Sequence, residues 1–193
     1  YIYIVIIIIL VSINTKNQFM YTKLDVFDFD STLVNTPMGD NDNKQKWADY
    51  YDVEKWPFLS WWTRKESLDM DVFEFPVNPE IIKAYKKSKD NPDTLTIMLT
   101  GRVGTLEPQV RVILDSYGLT FDRYFFKEGG STEQSKMKHM INMIDKFPTI
   151  DSIEMWDDRV EHIPKFERWG KYIEHTDKVK FKLNKVVDGR PTN

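Results

Sequence analysis

The chain has 193 residues, 41% hydrophobic and 30% charged, with a formal net charge of −3, which suits one compact domain with room for a small insertion. That balance excludes a global basic field for drawing in nucleic acid, so any such binding must use a local patch. The absence of Cys excludes disulfides, disulfide-linked partners, thiolate metal sites and Cys catalysis, and fits a reducing, cytoplasmic setting. The three His, at 139, 162 and 175, are too scattered for a zinc centre.

Tyr1 to Ile13 is almost entirely apolar and β-branched, yet shorter than the roughly 17–25 residues of a spanning helix. It has three readings: an extra strand, a membrane-associated segment, or a non-native leader over 1–19 ahead of a start at Met20. The domain proper is expected over 20–188, with a small lid insertion over 34–75 and a frayed tail at 189–193. Residues 23–30 read as a buried first strand. Ser31 to Tyr51, with Pro37, Gly39 and Asp40-Asn41-Asp42-Asn43, reads as a loop or short lid. Trp47, Tyr50, Tyr51, Trp56, Phe58, Trp61 and Trp62 follow, as a satellite core under the insertion or a surface that stacks bases.

Pro76 and Pro79 bracket entry into a helix whose apolar face is Ile81, Ile82 and Tyr85. Leu95–Leu99 is a buried strand ended by Thr100-Gly101-Arg102. A helix from about Leu106 to Tyr117, with face Val110, Ile113, Leu114 and Tyr117, ends at Gly118. A short strand follows at 121–126. Ser131 and Gln134 then open a helix with face Met137, Met140, Ile141 and Ile144. Ile153–Trp156 is a strand ending at Asp157-Asp158, and Asp158 and Glu161 are expected to cap a helix to about Trp169. Tyr172–His175 and Val179–Val187 read as closing strands. Strands alternating with amphipathic helices imply an α/β fold, a mostly parallel sheet with helices on both faces.

In such sheets sites lie beyond the carboxyl ends of the strands, where Asp28 and Asp30, Thr100, and Asp157 and Asp158 all fall. Strand period two puts Asp28 and Asp30 on one side of the chain. Two acids there repel unless something positive sits between them, such as a hard divalent cation or a phosphoryl group held by one.

Asp28-Phe29-Asp30-Ser31-Thr32-Leu33, Thr100-Gly101-Arg102, a downstream Lys, and Trp156-Asp157-Asp158-Arg159 together resemble the haloacid dehalogenase-like (HAD) phosphohydrolase superfamily. Residues 29–37, the Trp61-Trp62 pair, and Asp158-Arg159 followed by His162 and Phe166 are most similar to the Swiss Army Knife RNA repair-like HAD domains. The resemblance implies a Rossmann-like sheet and a Mg²⁺-dependent phosphatase. Asp28 would be the nucleophile that forms an aspartyl-phosphate, and Asp30 the general acid/base whose carbonyl helps hold the metal. Thr100 would bind the transferring phosphoryl group and Gly101 would let the backbone approach. Asp157 and Asp158 would complete the Mg²⁺ ligands, with Asp158 expected to be the more constrained. Lys136 is preferred as the catalytic Lys over Lys127 and Lys138.

Each of these residues also has a plainer reading. Arg102 is a solvated surface charge or a contact to the substrate's second phosphate or backbone. Arg159 and His162 are a structural polar pair or part of the phosphate site. Ser31 is expected to bind substrate, and Thr32 caps the turn or touches substrate. Lys127 is the rival lysine and a substrate contact. The expected partner is a phosphorylated substrate, most specifically a polynucleotide end. A small-molecule phosphatase and a non-catalytic RNA-binding scaffold are the alternatives. A dehalogenase leaves Asp30 unexplained.

Overall fold

The computed structural model describes residues 21–192; the apolar run at 1–13 and the leader reading of 1–19 lie outside them. Six strands form one sheet: β1 Lys23–Phe27, β2 Thr94–Val103, β3 Arg123–Lys127, β4 Ser152–Asp157, β5 Lys180–Val187 and β6 Arg190–Thr192. Their order is β3-β2-β1-β4-β5-β6, parallel except for the β5–β6 pair. The helices are α1 Asn41–Tyr50, α2 Pro79–Lys89, α3 Glu107–Ser116, α4 Thr132–Lys146 and α5 Ile163–Thr176.

The architecture is Rossmann-like, and the period-two alternation of the central strands explains its two cores. Leu24, Val26, Ile97 and Met155 face one side, where they meet Met140 and Met143 of α4 and Phe166 and Ile173 of α5. Phe27 faces the other, where it meets Tyr85 of α2 and Val110, Ile113 and Leu114 of α3. Phe27 also stacks on Trp156 of the neighbouring strand, 4.4 Å between centroids. From β1 the chain builds outward through β2 and β3, then crosses to β4 on the other side. The strand order therefore reverses at the β1–β4 border, where open α/β sheets form their crevice.

The segment after β1 is an aromatic-rich insertion with a paired neck. Asn35 N donates to the Pro76 carbonyl at 2.8 Å, and Val34 pairs with Val77. Trp47, Trp61, Leu68, Phe73 and Phe75 are buried in the same cluster as Phe27. The expected satellite core is thus an extension of the main one.

Several local expectations change. Within 31–51 the chain forms α1, because Asp40 caps it by accepting from Asn43 N at 2.8 Å. The first strand stops at Phe27, while β2 runs on through Thr100-Gly101-Arg102 to Val103 with a register shift after Leu99. Tyr172–His175 is the last turn of α5, with Ile173 buried on the Phe166 face. Neither Asp158 nor Glu161 caps that helix, which begins at Ile163. The expected frayed tail pairs with β5 as β6. Among the described residues no helix is long and apolar enough to cross a membrane.

Gly170 lies where α5 crosses the sheet: a Cβ there would sit 2.2 Å from Phe181 Cδ1. In an exposed helix Gly→Ala gains about 1 kcal/mol, but overpacking of this kind costs about 1–3 kcal/mol. Gly170→Ala is therefore expected to lower the thermal unfolding midpoint, and a raised midpoint would show that the contact is soft.

Candidate active site

Strand register sets the site. Phe27 of β1 stands opposite Trp156 of β4, so the next residues, Asp28 and Asp157, emerge abreast from adjacent strands. Asp28 N donates to the Trp156 carbonyl at 3.0 Å and extends the ladder by one bond. Phe27 and Trp156 are the last core residues of the two strands, so the two carboxylates sit at the boundary between core and cleft.

Lys136 of α4 reaches between them, with Nζ 2.8 Å from Asp28 Oδ1 and 2.6 Å from Asp157 Oδ2. All three residues are buried. The Asp157 contact is a directed hydrogen bond. The Asp28 contact is an ion pair without that direction, and it leaves Oδ1 without a hydrogen-bond partner. Burial opposes the charge on Lys136, but Asp157 and Asp28 outweigh it and hold the ammonium protonated well above its usual range. Burial pushes the Asp28 carboxyl up, Lys136 opposes this, and Asp157 and Asp158 add to it. Asp158 is pushed to about 6 by burial and then by Asp157.

Carboxylate oxygens of Asp28, Asp157 and Asp158 lie within 4.8 Å of one another. Hard oxygens in surplus over nearby cations suit a divalent metal, and the unpartnered Asp28 Oδ1 is a ready ligand atom. Asp157, rather than Asp158, is the more constrained. It is fully buried and accepts from Lys136 and, at 3.1 Å, from Arg159 N. Asp158 lines the cleft.

Asp30 shares the cleft with Asp28 but not its partners. The strand has ended, and the chain turns at Ser31, whose φ is +55°. The Asp30 carboxylate faces Arg102 and Thr36, which donates from Oγ1 at 2.7 Å. It reaches the same cleft as Asp28, as expected, but lies outside the three-acid cluster, because the strand's period ends at Phe27. Thr100 is buried; its hydroxyl is 3.5 Å from Asp30 Oδ2 and accepts from Arg102 N at 3.1 Å. Gly101 lets β2 press on α4, since a Cβ there would be 2.8 Å from Thr132 Cγ2.

Of the three lysines, Lys136 meets Asp28. Lys127 lies on the cleft wall, and Lys138 faces solvent beside Glu128 at 3.6 Å. Arg102 is buried, which removes the solvated reading. Arg159 and His162 do not share a helical face, because they precede α5. Arg159 borders the cleft, while His162 turns inward, its Nε2 3.5 Å from Glu133 Oε2. Thr32 and Thr100 are both buried behind the cleft wall, but Thr100 bonds Asp30 while the Thr32 hydroxyl has no hydrogen-bond partner, so Thr32 is not joined to the site. Of the insertion's aromatics, Trp62 reaches the cleft; Trp47 and Trp61 are core.

Two supporting residues were not legible in the sequence. Asn78, just before α2, donates from Nδ2 to the carbonyls of Ser31 at 3.1 Å and Thr32 at 2.6 Å, and from its backbone to the Leu33 carbonyl at 3.0 Å. Its Oδ1 abuts Gly189, where a Cβ would come within 2.2 Å. Ser67 of the insertion is buried against Arg102. The one available signal was Asn preceding the helix-opening Pro79.

The comparisons with known proteins agree with this geometry. Residues 47–192 match the family described as HAD domain family 1 in Swiss Army Knife RNA repair proteins, a span that includes Thr100, Lys136 and the 157–158 acids and begins after Asp28. The chain is 24% identical over 168 residues to the uncharacterized protein YMR265C of Saccharomyces cerevisiae, covering 76% of this chain and 36% of that protein. It thus spans about a third of that relative's length. It is also similar in fold to chains in two solved structures. One is described as the Pnkp1/Rnl/Hen1 RNA repair complex (TM-score 0.56, 15% identity, 86% of this chain and 42% of that one). The other is described as the Pnkp1/Rnl/Hen1 complex (TM-score 0.54, 14% identity, 86% and 46%).

Lys136→Met would leave two buried carboxylates facing each other, and breaking a buried ion pair this way costs about 3–5 kcal/mol. Denaturant unfolding without added metal is expected to register a loss of that order. A loss below about 1 kcal/mol would show that Lys136 is not what compensates the acids. With its candidate metal-binding Asp cluster at the strand ends and its matched span, the chain belongs to the HAD domain family 1 of Swiss Army Knife RNA repair proteins.

Proposed function

We propose that this domain is a Mg²⁺-dependent phosphatase that works through an aspartyl-phosphate on Asp28, with the terminal phosphate of a polynucleotide as its substrate. The observation that carries the reading is the convergence of Asp28, Lys136, Asp157 and Asp158 at the β1–β4 border. A carboxylate at the inner end of a cleft, beside a fixed ammonium and two further acids, is suited to meeting a phosphoryl group.

An Asp28 oxygen attacks phosphorus as the ester P–O bond breaks, and Asp30 gives a proton to the departing oxygen. A water then loses a proton to Asp30 and attacks the same phosphorus. The P–O bond to Asp28 breaks, inorganic phosphate leaves and the carboxylate is restored. Lys136 offsets charge on Asp28 and on the phosphoryl oxygens throughout, a transition-state role. Thr100 and Gly101 fix the phosphoryl group from the β2 side. Asp28, Asp157, Asp158 and the Asp30 carbonyl would hold Mg²⁺, which supplies the positive charge that lets an anionic nucleophile approach an anionic phosphate.

The polynucleotide reading draws on the family and on the cleft. Its volume is about 540 Å³, and its wall carries Lys127, Trp62 and Arg159, the last 3.8 Å from Glu161, in a chain of net charge −3. A small-molecule phosphatase is the competing reading.

Phosphate release should be followed on 3′- and 5′-phosphorylated oligonucleotides, mononucleotides, sugar phosphates and phosphopeptides. Turnover is expected to need Mg²⁺, to stop with chelator, and to favour oligonucleotide ends. Preference for mononucleotides would reject the polynucleotide assignment. Asp28→Asn is expected to lower turnover by a factor of about 10⁴ or more, and full retention would sink the nucleophile assignment.

A further inference from the structure

The second carboxylate of the site is joined to the insertion through one buried side chain. Arg102 is 1% exposed. Its Nε donates to both oxygens of Asp30, at 3.0 and 3.1 Å, and its Nη2 donates to Oδ1 at 2.7 Å. On the other side Nη1 donates to Ser67 Oγ at 2.6 Å and, more weakly, to the Trp62 carbonyl at 3.4 Å. The Trp62 ring lies 4.8 Å from the guanidinium carbon. The Ser67 hydroxyl donates onward to the Arg64 carbonyl at 2.6 Å. The chain of contacts therefore runs from the insertion backbone, through Ser67 and Arg102, to Asp30.

The chemistry of the guanidinium decides what this link does. It is planar and rigid, and it holds donors for two directions at once; an ammonium would present them from one point. All three nitrogens are engaged, and of the five N–H donors only one, on Nη2, is left without a partner. A contact to substrate, one of the roles the sequence offers, could use that hydrogen alone without loosening the bracket. The bracket fixes where Asp30 can be relative to residues 62–67.

We propose that Arg102 is a positioning residue that seats Asp30 against the insertion, so that proton transfer depends on the Trp62–Ser67 segment being docked. This rests on reading Asp30 as the proton donor and acceptor. The insertion then acts on catalysis as well as on substrate entry: displacing it unseats the acid.

The test compares Ser67→Ala and Arg102→Lys in the full chain on two phosphate esters. A 3′-phosphorylated oligonucleotide has an alkoxide leaving group that needs the proton; p-nitrophenyl phosphate has a phenolate that leaves without it. Ser67→Ala is expected to lower kcat on the oligonucleotide about tenfold or more, with KM within about threefold. The first-turnover rate on the aryl ester should stay within about threefold of wild type, and a burst of nitrophenol should appear as the aspartyl-phosphate waits for its base. Arg102→Lys should give the same pattern, enlarged. A raised KM at constant kcat, an equal first-turnover loss on both esters, or wild-type behaviour of Ser67→Ala would each overturn the proposal.

The link is also read without turnover. Unfolding equilibria of Ser67→Ala, Asp30→Asn and the double variant are expected to be non-additive, and additivity would overturn it. Non-additive unfolding together with full activity of Asp28→Asn would place the failure in the phosphatase reading, and the positioning role would fall with it.

Discussion

The site depends on how two carboxylates are kept at the end of a hydrophobic sheet. Asp28 and Asp157 are abreast because β1 and β4 are parallel and in register. They are buried because both faces of the sheet are covered. Burial and mutual repulsion both oppose their charge, and a lysine one helical turn before Met140 answers them. The ammonium comes from α4, so the placement of that helix on the sheet and the electrostatics of the site are one constraint. Gly101, which lets β2 and Thr132 approach, belongs to the same constraint.

Asp30 is governed separately. Three residues beyond the strand end, it has left the Lys136 network and joined that of Arg102, Thr36 and the insertion. The two acids of one short motif thus answer to different elements, Asp28 to the sheet and α4, Asp30 to the insertion. Asn78 keeps the turn between them and the insertion neck in place by binding two successive carbonyls.

What could be read in the sequence follows from this division. The strands were legible because buried parallel strands are apolar runs, and the acids were legible because each run stops at one. The α4 face was read only in part: Met140 is buried and Met137 and Ile144 pack half-buried against the same core, but Ile141 is exposed and Glu133, Lys136, His139 and Met143 complete the buried face. Polar residues that carry the site occupy the buried face, and a search for apolar spacing passes over them. The Tyr172–His175 error has the opposite cause, since a short aromatic and β-branched run looks like a strand whatever helix it finishes. Asn78, Ser67 and the burial of Arg102 depend on contacts between residues 35 to 47 positions apart, which no local pattern reveals.

The turn between β5 and β6 carries a consequence for the centre of the molecule. Gly189, at φ +71°, is packed against the amide of Asn78, and that amide holds the turn that follows Asp30. The outermost edge of the sheet is therefore a mechanical stop behind its innermost loop. A side chain at position 189 would push through Asn78 onto the backbone at Ser31 and Thr32, a lesion of the candidate site introduced from the far margin of the sheet.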